Sequence, residues 1–273
     1  MQHRRLLVQR VNKACLIISI ARRGDHPSFC LEEKNLRQVE LFLAKEISGS
    51  EILLDEEESH HCIKVMRHKA GDELLVTDGQ GKMYSCRLEV PDKNHCMLEL
   101  IETVKEEAEP FPFIHLAIAP TKSIDRFEWF LEKAAEIGVS EITPIITERS
   151  ERDKIRHDRL YKIVLAAMKQ SLRLWLPKLN SSSKFNEIVN RKSPMVNQNF
   201  IAHCQSQNLP LLKSLYQPKH SVLILVGPEG DFTRDEVTLA EDNGFVSVSL
   251  SKARLRTETA GMVALHTVQL LND

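Results

Sequence analysis

The sequence predicts an α/β protein: a parallel sheet covered by helices, preceded by a small β-barrel. Three observations carry this. From about residue 112 to the end, strand-like and helix-like segments alternate, the order that builds a parallel sheet with helices on both faces. Residues 39–105 instead hold short strand-like runs and one helix, the texture of a small barrel. Between them "ETVKEEAEPFP" (102–112) is acidic, proline-containing and non-periodic, and reads as a linker.

In the first domain "EILLD" and "ELLVTDG" are apolar runs, and "KMYSCRLEV" and "HCMLELI" alternate. Asp78-Gly79 and Gly81 mark a turn between two of these strands. "SHHCIKVMRHKAG" reads as one short helix, with Ser59 as its N-cap and Gly71 as its stop.

In the second domain "FIHLAIAP" is a buried strand. "SIDRFEWFLEKAAEIG" has apolar residues at 124, 127, 130, 131, 134 and 137, a helical period. Ser123 is placed to cap it, Asp125 favours its first turn, and Gly138 ends it. "EITPIIT" is the next strand, and "HDRLYKIVLAAMKQSLRLW" a helix that Pro177 ends. "NFIAHC", "SVLILVG" and "FVSVSL" are three further strands. A helix follows the middle one, and another, apolar nearly all round and so expected to be buried, closes the chain. No internal repeat is present.

The chain has 273 residues and a formal net charge of -1. It is therefore no polycation, and any nucleic-acid site must be local. Cys15, Cys30, Cys62, Cys86, Cys96 and Cys204 form no Cys-x-x-Cys pair and read as free cytosolic thiols. No apolar run reaches the ~20 residues of a membrane span; "ACLIISIA" is too short. Residues 1–38 carry eight Lys/Arg against three acids. A transit-like leader, a disordered basic arm and an extension from an upstream start codon all fit. His60 and His61 are adjacent, point to different helix faces and have no third partner, so no metal is expected.

The stretch "LVGPEGDFTRDEV" (225–237) carries the chemistry. Gly227-Pro228-Glu229-Gly230 fits a type I turn at the end of a buried strand. Thr233 and Glu236 make a capping box for the helix that follows, with Phe232 and Val237 as its hydrophobic staple. A rigid loop outside the carboxyl end of a parallel strand is where α/β proteins bind ligands. A second stretch, "LSKARLRTETAGMVALHTVQLL", leads from strand to helix through Lys252, Arg254 and Arg256. Cations beside a helix N-terminus need a partner, such as Glu258, Glu229 or a phosphate.

"GPEGDFTRDEV" followed by "LSKARLRTETA" resembles the paired signature of the RsmE family. These are bacterial SPOUT-superfamily methyltransferases acting on N3 of a uridine in 16S ribosomal RNA. "APTKSIDRFEWFLEKAAEIGVSEITPIITERS", "AAMKQSLR" and "EEESHHCIKVMRHKAGDELLVTDGQGKMY" extend the likeness over about residues 39–273. The resemblance implies a PUA-like barrel (39–105) joined to a SPOUT domain (112–273) whose C-terminus threads a trefoil knot. It also implies a cytoplasmic homodimer acting on 16S rRNA within the small ribosomal subunit.

S-adenosyl-L-methionine (SAM) is then the implied cofactor, bent between three loops and held mostly by backbone. Carried over, these loops bring His203 and Cys204, then Val226, Gly227, Pro228, Glu229 and Gly230, then Leu250, Leu255, Arg256 and Thr259. The chain departs from the family at Asp231 and Ser251, where glycine is usual, and in "Gln-Ser-Leu-Arg" for Gln-Ser-Gly-Arg. Each change adds a side chain beside the implied pocket.

Methylating N3 requires removal of the imide proton, and a cation near the ring carbonyls would stabilise the anion. Arg256 is the expected cation or phosphate clamp, with Glu258 orienting it and Glu229 next in line for orientation or proton transfer. The local basic cluster of His60, His61, Lys64, Arg67, His68 and Lys69 is the expected RNA contact on the barrel. Gln170 and Arg173, one helical turn apart, are expected to face the pocket and contact RNA, or else to pack at the core edge. "TERSERDKIRHDR" is charge-balanced and reads as a solvated loop. Two other readings stand beside the enzyme: an RNA-binding protein without catalysis, favoured by Asp231 and Ser251, and a SPOUT methyltransferase with another RNA target.

Overall fold

The computed structural model describes residues 40–191, 195–206 and 208–273. The basic leader, Cys15 and Cys30 lie outside them. The remaining cysteines are free, and Cys62, Cys86 and Cys96 are buried.

The first domain is a closed barrel of strands β1 (Leu41–Ser48), β2 (Glu51–Leu54), β3 (Glu73–Thr77), β4 (Lys82–Val90) and β5 (Met97–Glu106), in the order β1-β2-β5-β4-β3. A parallel pairing of β1 with β3 closes it. The alternation seen in β4 puts Tyr84, Cys86 and Leu88 inside. Helix α1 (Glu56–His60) continues into a wider π turn, His61–Val65.

Three expectations fail here, the first being that Gly71 stops the helix: the helical segment ends at Val65 with Met66 as its C-cap. The N-cap of α1 is Asp55, whose side chain accepts from the Glu58 N–H at 2.8 Å; Ser59 is instead buried within the helix. An acidic side chain at the cap and three glutamates in the first turn suit the helix dipole better than a start at Ser59. The expected linker is also half strand, because β5 runs on to Glu106 and pairs with β4 through register shifts. Its charged residues lie on exposed positions, which hides the strand in the composition.

The second domain holds β6 (Ile114–Ile118), α2 (Ile124–Ile137), β7 (Glu141–Ile146), α3 (His157–Gln170), β8 (Lys178–Leu179), β9 (Ser183–Lys184), α4 (Phe185–Asn190) and β10 (Gln198–Ala202). It continues with α5 (Leu212–Leu215), β11 (Val222–Val226), α6 (Arg234–Asp242), β12 (Val246–Val248) and α7 (Thr257–Leu270). The sheet order is β12-β10-β11-β6-β7-β8, with β9 also on β7, and its pairings are parallel. β6 and β11 are buried along their whole length, as a sheet covered on both faces requires. One face packs Phe127, Phe130 and Leu131 of α2, Leu160 and Val164 of α3, and Ala264, Leu265 and Val268 of α7. The other packs Phe185 and Ile188 of α4 with Val237 and Ala240 of α6.

Helix α2 runs as its periodicity predicts, and Gly138 closes it in a left-handed conformation. Ser123 is the N-cap residue, yet its side chain makes no capping bond; its carbonyl accepts from the Thr121 hydroxyl at 2.6 Å instead. Helix α3 stops at Gln170, well before Pro177. Leu172 takes a positive φ of 55°, and Arg173 turns back to donate to the Glu136 and Ile137 carbonyls at the end of α2. Those carbonyls have no helical partner of their own, so an arginine there replaces further turns of α3. Helix α7 is buried on one face only, and Leu270 is 63% exposed; it lies on the outside of the sheet against α2 and β6.

The two domains are stitched together. Trp175 Nε1 donates to the Glu107 carbonyl at 3.2 Å, the Gly81 N–H to Leu174 at 3.0 Å and the Leu176 N–H to Gly79 at 2.9 Å. The predicted Gly79–Gly81 turn is therefore also the barrel's docking edge. Lys169 of α3 pairs with the buried Glu58 at 2.5 Å.

Candidate active site

The adjacent strands β10, β11 and β12 end side by side at Ala202, Val226 and Val248. The loops leaving them enclose a cavity of about 320 Å³, at the lower end of the range for small-molecule sites. Its wall comes from Ala202 to Cys204, from Val226 to Glu229 with Asp231, from Ser249 to Ser251, and from Ala253 to Thr257, with Ala260 of α7.

The expected loops are thus brought together, with most of the residues assigned to them. His203, Cys204, Val226, Gly227, Pro228, Glu229, Leu250, Leu255 and Arg256 all line the cavity. Gly230 and Thr259 do not. Thr259 is exposed on α7, and Gly230 faces away: a Cβ there would sit 3.2 Å from the Arg149 Cβ. At Gly227 a Cβ would meet the Phe232 ring at 3.1 Å. The glycines of this loop thus make room for the protein itself.

The turn is displaced by one residue from expectation. The Asp231 N–H donates to the Pro228 carbonyl at 2.9 Å, so Glu229 and Gly230 are the central pair. The capping box forms as predicted: Glu236 N–H to Thr233 Oγ1 at 3.2 Å, and Thr233 N–H to Glu236 Oε2 at 2.8 Å. Phe232 and Val237 are buried in one cluster, as a staple requires.

His203 is buried, and burial holds its pKa below the ordinary histidine value. Its Nδ1 accepts from the Gln205 N–H at 3.1 Å, which assigns the proton to Nε2, 2.9 Å from Ser247 Oγ. Ser247 in turn donates to Glu241 at 2.5 Å. A neutral, tethered imidazole of this kind shapes the loop and is no general acid. Burial and the nearby Asp231 raise the Cys204 thiol, against the pull of Arg254.

The cations of the third loop stand free. Among the described residues Lys252, Arg254 and Arg256 form no ion pair, and all three are exposed. Glu258 does not orient Arg256. It is buried in the first turn of α7 with its Oε1 at 4.0 Å from Arg126 Nε, and its Oε2 has no partner among the described residues. Glu229 is exposed and accepts from the Lys122 N–H at 3.0 Å.

One support of the site was invisible in the sequence. Arg149 Nη1 donates to the Gly230 carbonyl at 2.9 Å, and Arg152 Nη2 to the Lys122 carbonyl at 2.8 Å. The Glu148 N–H donates to Glu236 at 2.9 Å. The charge-balanced "TERSERDKIRHDR" is therefore a brace behind the Pro228–Asp231 turn. Its balance of signs gave no cue, because its arginines reach backbone carbonyls.

The barrel cluster does not line this cavity. Lys64 and Lys69 are exposed, Arg67 has a φ of 63°, His61 bonds Glu40, and His68 lies 3.1 Å from Asp72. His60 lines a second, open cavity with Lys45, Lys93, His95 and Lys162. Gln170 ends α3, and Arg173 is committed to α2, so neither faces the cavity formed by the loops. No cluster of histidine, cysteine or carboxylate groups suited to a metal occurs among the described residues. No helix among them is long and apolar enough to cross a membrane.

Comparison with known proteins decides the family. Residues 107–269 match the RNA methyltransferase domain model, and residues 54–101 match the RNA methyltransferase PUA domain. The ribosomal RNA small subunit methyltransferase E of Synechocystis sp. is 31% identical over 245 residues, covering 83% of this chain and 75% of that protein. This chain belongs to the RsmE family of RNA methyltransferases. A probable rRNA-methyltransferase from Porphyromonas gingivalis, 38% identical, superposes with a TM-score of 0.77 over 85% of this chain and 98% of that one. The RsmE-family enzyme of Neisseria gonorrhoeae, solved bound to S-adenosyl methionine, is 27% identical, with a TM-score of 0.74 over 86% of this chain and 98% of its own.

Proposed function

We propose that this chain transfers a methyl group from SAM to N3 of a uridine in 16S rRNA of the small ribosomal subunit. The observation that carries the reading is the cavity at the ends of β10, β11 and β12, in a chain of this family. Its wall fits a nucleoside-containing cation. Apolar Val226, Leu250 and Leu255 offer surface for a base, and the carboxylates of Glu229 and Asp231 suit positive groups and hydroxyls. When bound, SAM supplies an electrophilic methyl group.

The protein must then hold the uracil and help it lose the imide proton, because the neutral nitrogen is a poor nucleophile. Arg256 lines the cavity, is exposed and pairs with no carboxylate among the described residues. It is our candidate for the cation that stabilises the developing charge on the ring carbonyls. Glu229, a carboxylate on the same wall, is our candidate for taking the proton, directly or through water. Glu258 acts at most through Arg126. Positioning of N3 against the methyl group supplies much of the remaining rate.

The exposed basic side chains of the barrel, Lys64 and Lys69 with His60, are assigned to RNA phosphates in this proposal. Cytoplasmic action, the knot and the homodimer belong to it as well. The knotted reading is supported by the last crossing, from β12 at the sheet edge to α7 packed on β6 and β11. The dimer is supported by Trp129 of α2 and by Leu270, apolar side chains left 47% and 63% exposed.

The test is methyl transfer to small subunits that lack the modification, with nucleosides identified by mass spectrometry after digestion. Formation of 3-methyluridine by the wild-type protein, lost in Arg256→Ala, is the expected result. A new methyl group on any other nucleoside instead would overturn the target, and full turnover by Arg256→Ala would overturn the role of the cation.

A further inference from the structure

We infer that Asp231 is a positioning residue for the methyl donor: its carboxylate spans two of the three cavity loops and fixes the gap between them. The inference rests on the reading of the cavity given above. Asp231 has a φ of 61°, in the left-handed region that side chains with a Cβ rarely occupy. Aspartate and asparagine tolerate it because a short polar side chain can bond nearby backbone. Here both carboxylate oxygens are used. Oδ1 accepts from the Phe232 N–H at 2.8 Å, within its own loop. Oδ2 accepts from the Cys204 N–H at 2.8 Å, 27 residues away, on the loop that leaves β10.

A second tie joins the same two loops. Gln205 Nε2 donates to the Phe232 carbonyl at 2.8 Å. Asp231 also closes its own turn through the Pro228 carbonyl and itself faces the cavity. The side chain is thus no intruder, as the sequence reading had it. It is a charged bridge between loops that would otherwise have to be ordered by the ligand. Hydrogen bonds to an ionised acceptor are the stronger kind, and loops ordered before binding spare the ligand that cost.

The geometry asks for two acceptors on a residue that accepts a left-handed backbone. Asparagine meets the backbone demand and supplies one acceptor oxygen. Glycine meets the backbone demand and supplies none. Alanine meets neither. The dissociation constant for SAM is therefore expected to rise in the order wild type, Asp231→Asn, Asp231→Gly, Asp231→Ala.

The experiment is titration calorimetry of the four proteins with SAM, alongside the KM for small ribosomal subunits. Asp231→Gly is expected to weaken SAM binding by about tenfold, as loss of the charge-assisted pair implies. Asp231→Asn is expected to recover part of it, with the KM for the subunit unchanged in both. A purely structural role would move SAM affinity and the subunit KM together and would show no recovery in Asp231→Asn; that pattern overturns the proposal. So does SAM binding by Asp231→Gly as tight as wild type. Should Asp231→Ala fail to fold, the glycine and asparagine variants still decide the question. Failure of the wild-type protein to bind SAM would instead overturn the assignment of the cavity, and this inference with it.

Discussion

Thr257 Oγ1 donates a hydrogen bond to the Gly227 carbonyl at 3.1 Å, joining the first residue of α7 to the turn that follows β11. Both residues are buried. The bond registers the C-terminal helix against the strand ends, so the second and third cavity loops are set by one contact. Thr257→Val keeps the shape and removes the donor, leaving a buried carbonyl unpaired. It is expected to destabilise the fold by about 1–3 kcal/mol in urea unfolding and to weaken SAM binding. Thr257→Ser, which keeps the hydroxyl, should bind SAM nearly as the wild type does.

Glu236 serves two segments at once. Its Oε2 accepts from the Thr233 N–H at 2.8 Å, and its Oε1 from the Glu148 N–H at 2.9 Å. Glu236→Ala strands both donors and removes the capping box, an expected loss of roughly 2–3 kcal/mol. Thr233→Ala removes only the side-chain cap, about 1 kcal/mol. Unfolding midpoints of the two variants measured together check the ratio.

The capping box was legible from Thr233 and Glu236 because its spacing is local, as was α2 from its apolar period and Gly138. What the sequence hid was tertiary. "SLRLW" keeps a helical rhythm past Gln170, yet Arg173 is drawn away by the unpaired carbonyls ending α2. Arg149 and Asp231 read as a solvated charge and an obstruction, because their partners are backbone groups up to 83 residues away. Backbone acceptors leave no mark in residue types. The three loops could be placed only by likeness to a family, since nothing local states that β10, β11 and β12 are neighbours.

His115 gives the fold a pH dependence. It is buried on β6, with Nε2 at 2.8 Å from Thr143 Oγ1, 3.9 Å from Glu141, and Lys178 beyond. Burial pulls its pKa down to about 4, against the raising effect of Glu141. A base whose folded pKa lies below its unfolded value binds more protons unfolded, so its contribution is whole above about pH 6.5 and is lost as pH falls toward 4. The shift corresponds to about 3 kcal/mol. Chemical unfolding across that range should show the decline, and His115→Gln should flatten it.

The Trp175 latch fixes where the barrel sits. Trp175→Phe removes the donor to Glu107 and keeps an aromatic ring. If the barrel positions RNA over the cavity, this variant raises the KM for small subunits while the dissociation constant for SAM stays unchanged. Parallel changes in both constants would mean the latch serves stability alone.

The most direct measurement is a crystal structure of the chain grown with S-adenosylhomocysteine. The account places the ligand between the loops that follow β10, β11 and β12, against Gly227, Leu250 and Leu255. A ligand bound there with Asp231 still bridging to Cys204 would support both the site and its brace. A ligand found elsewhere, such as the open cavity beside His60 and Lys162, or absent at saturating concentration, would contradict the account.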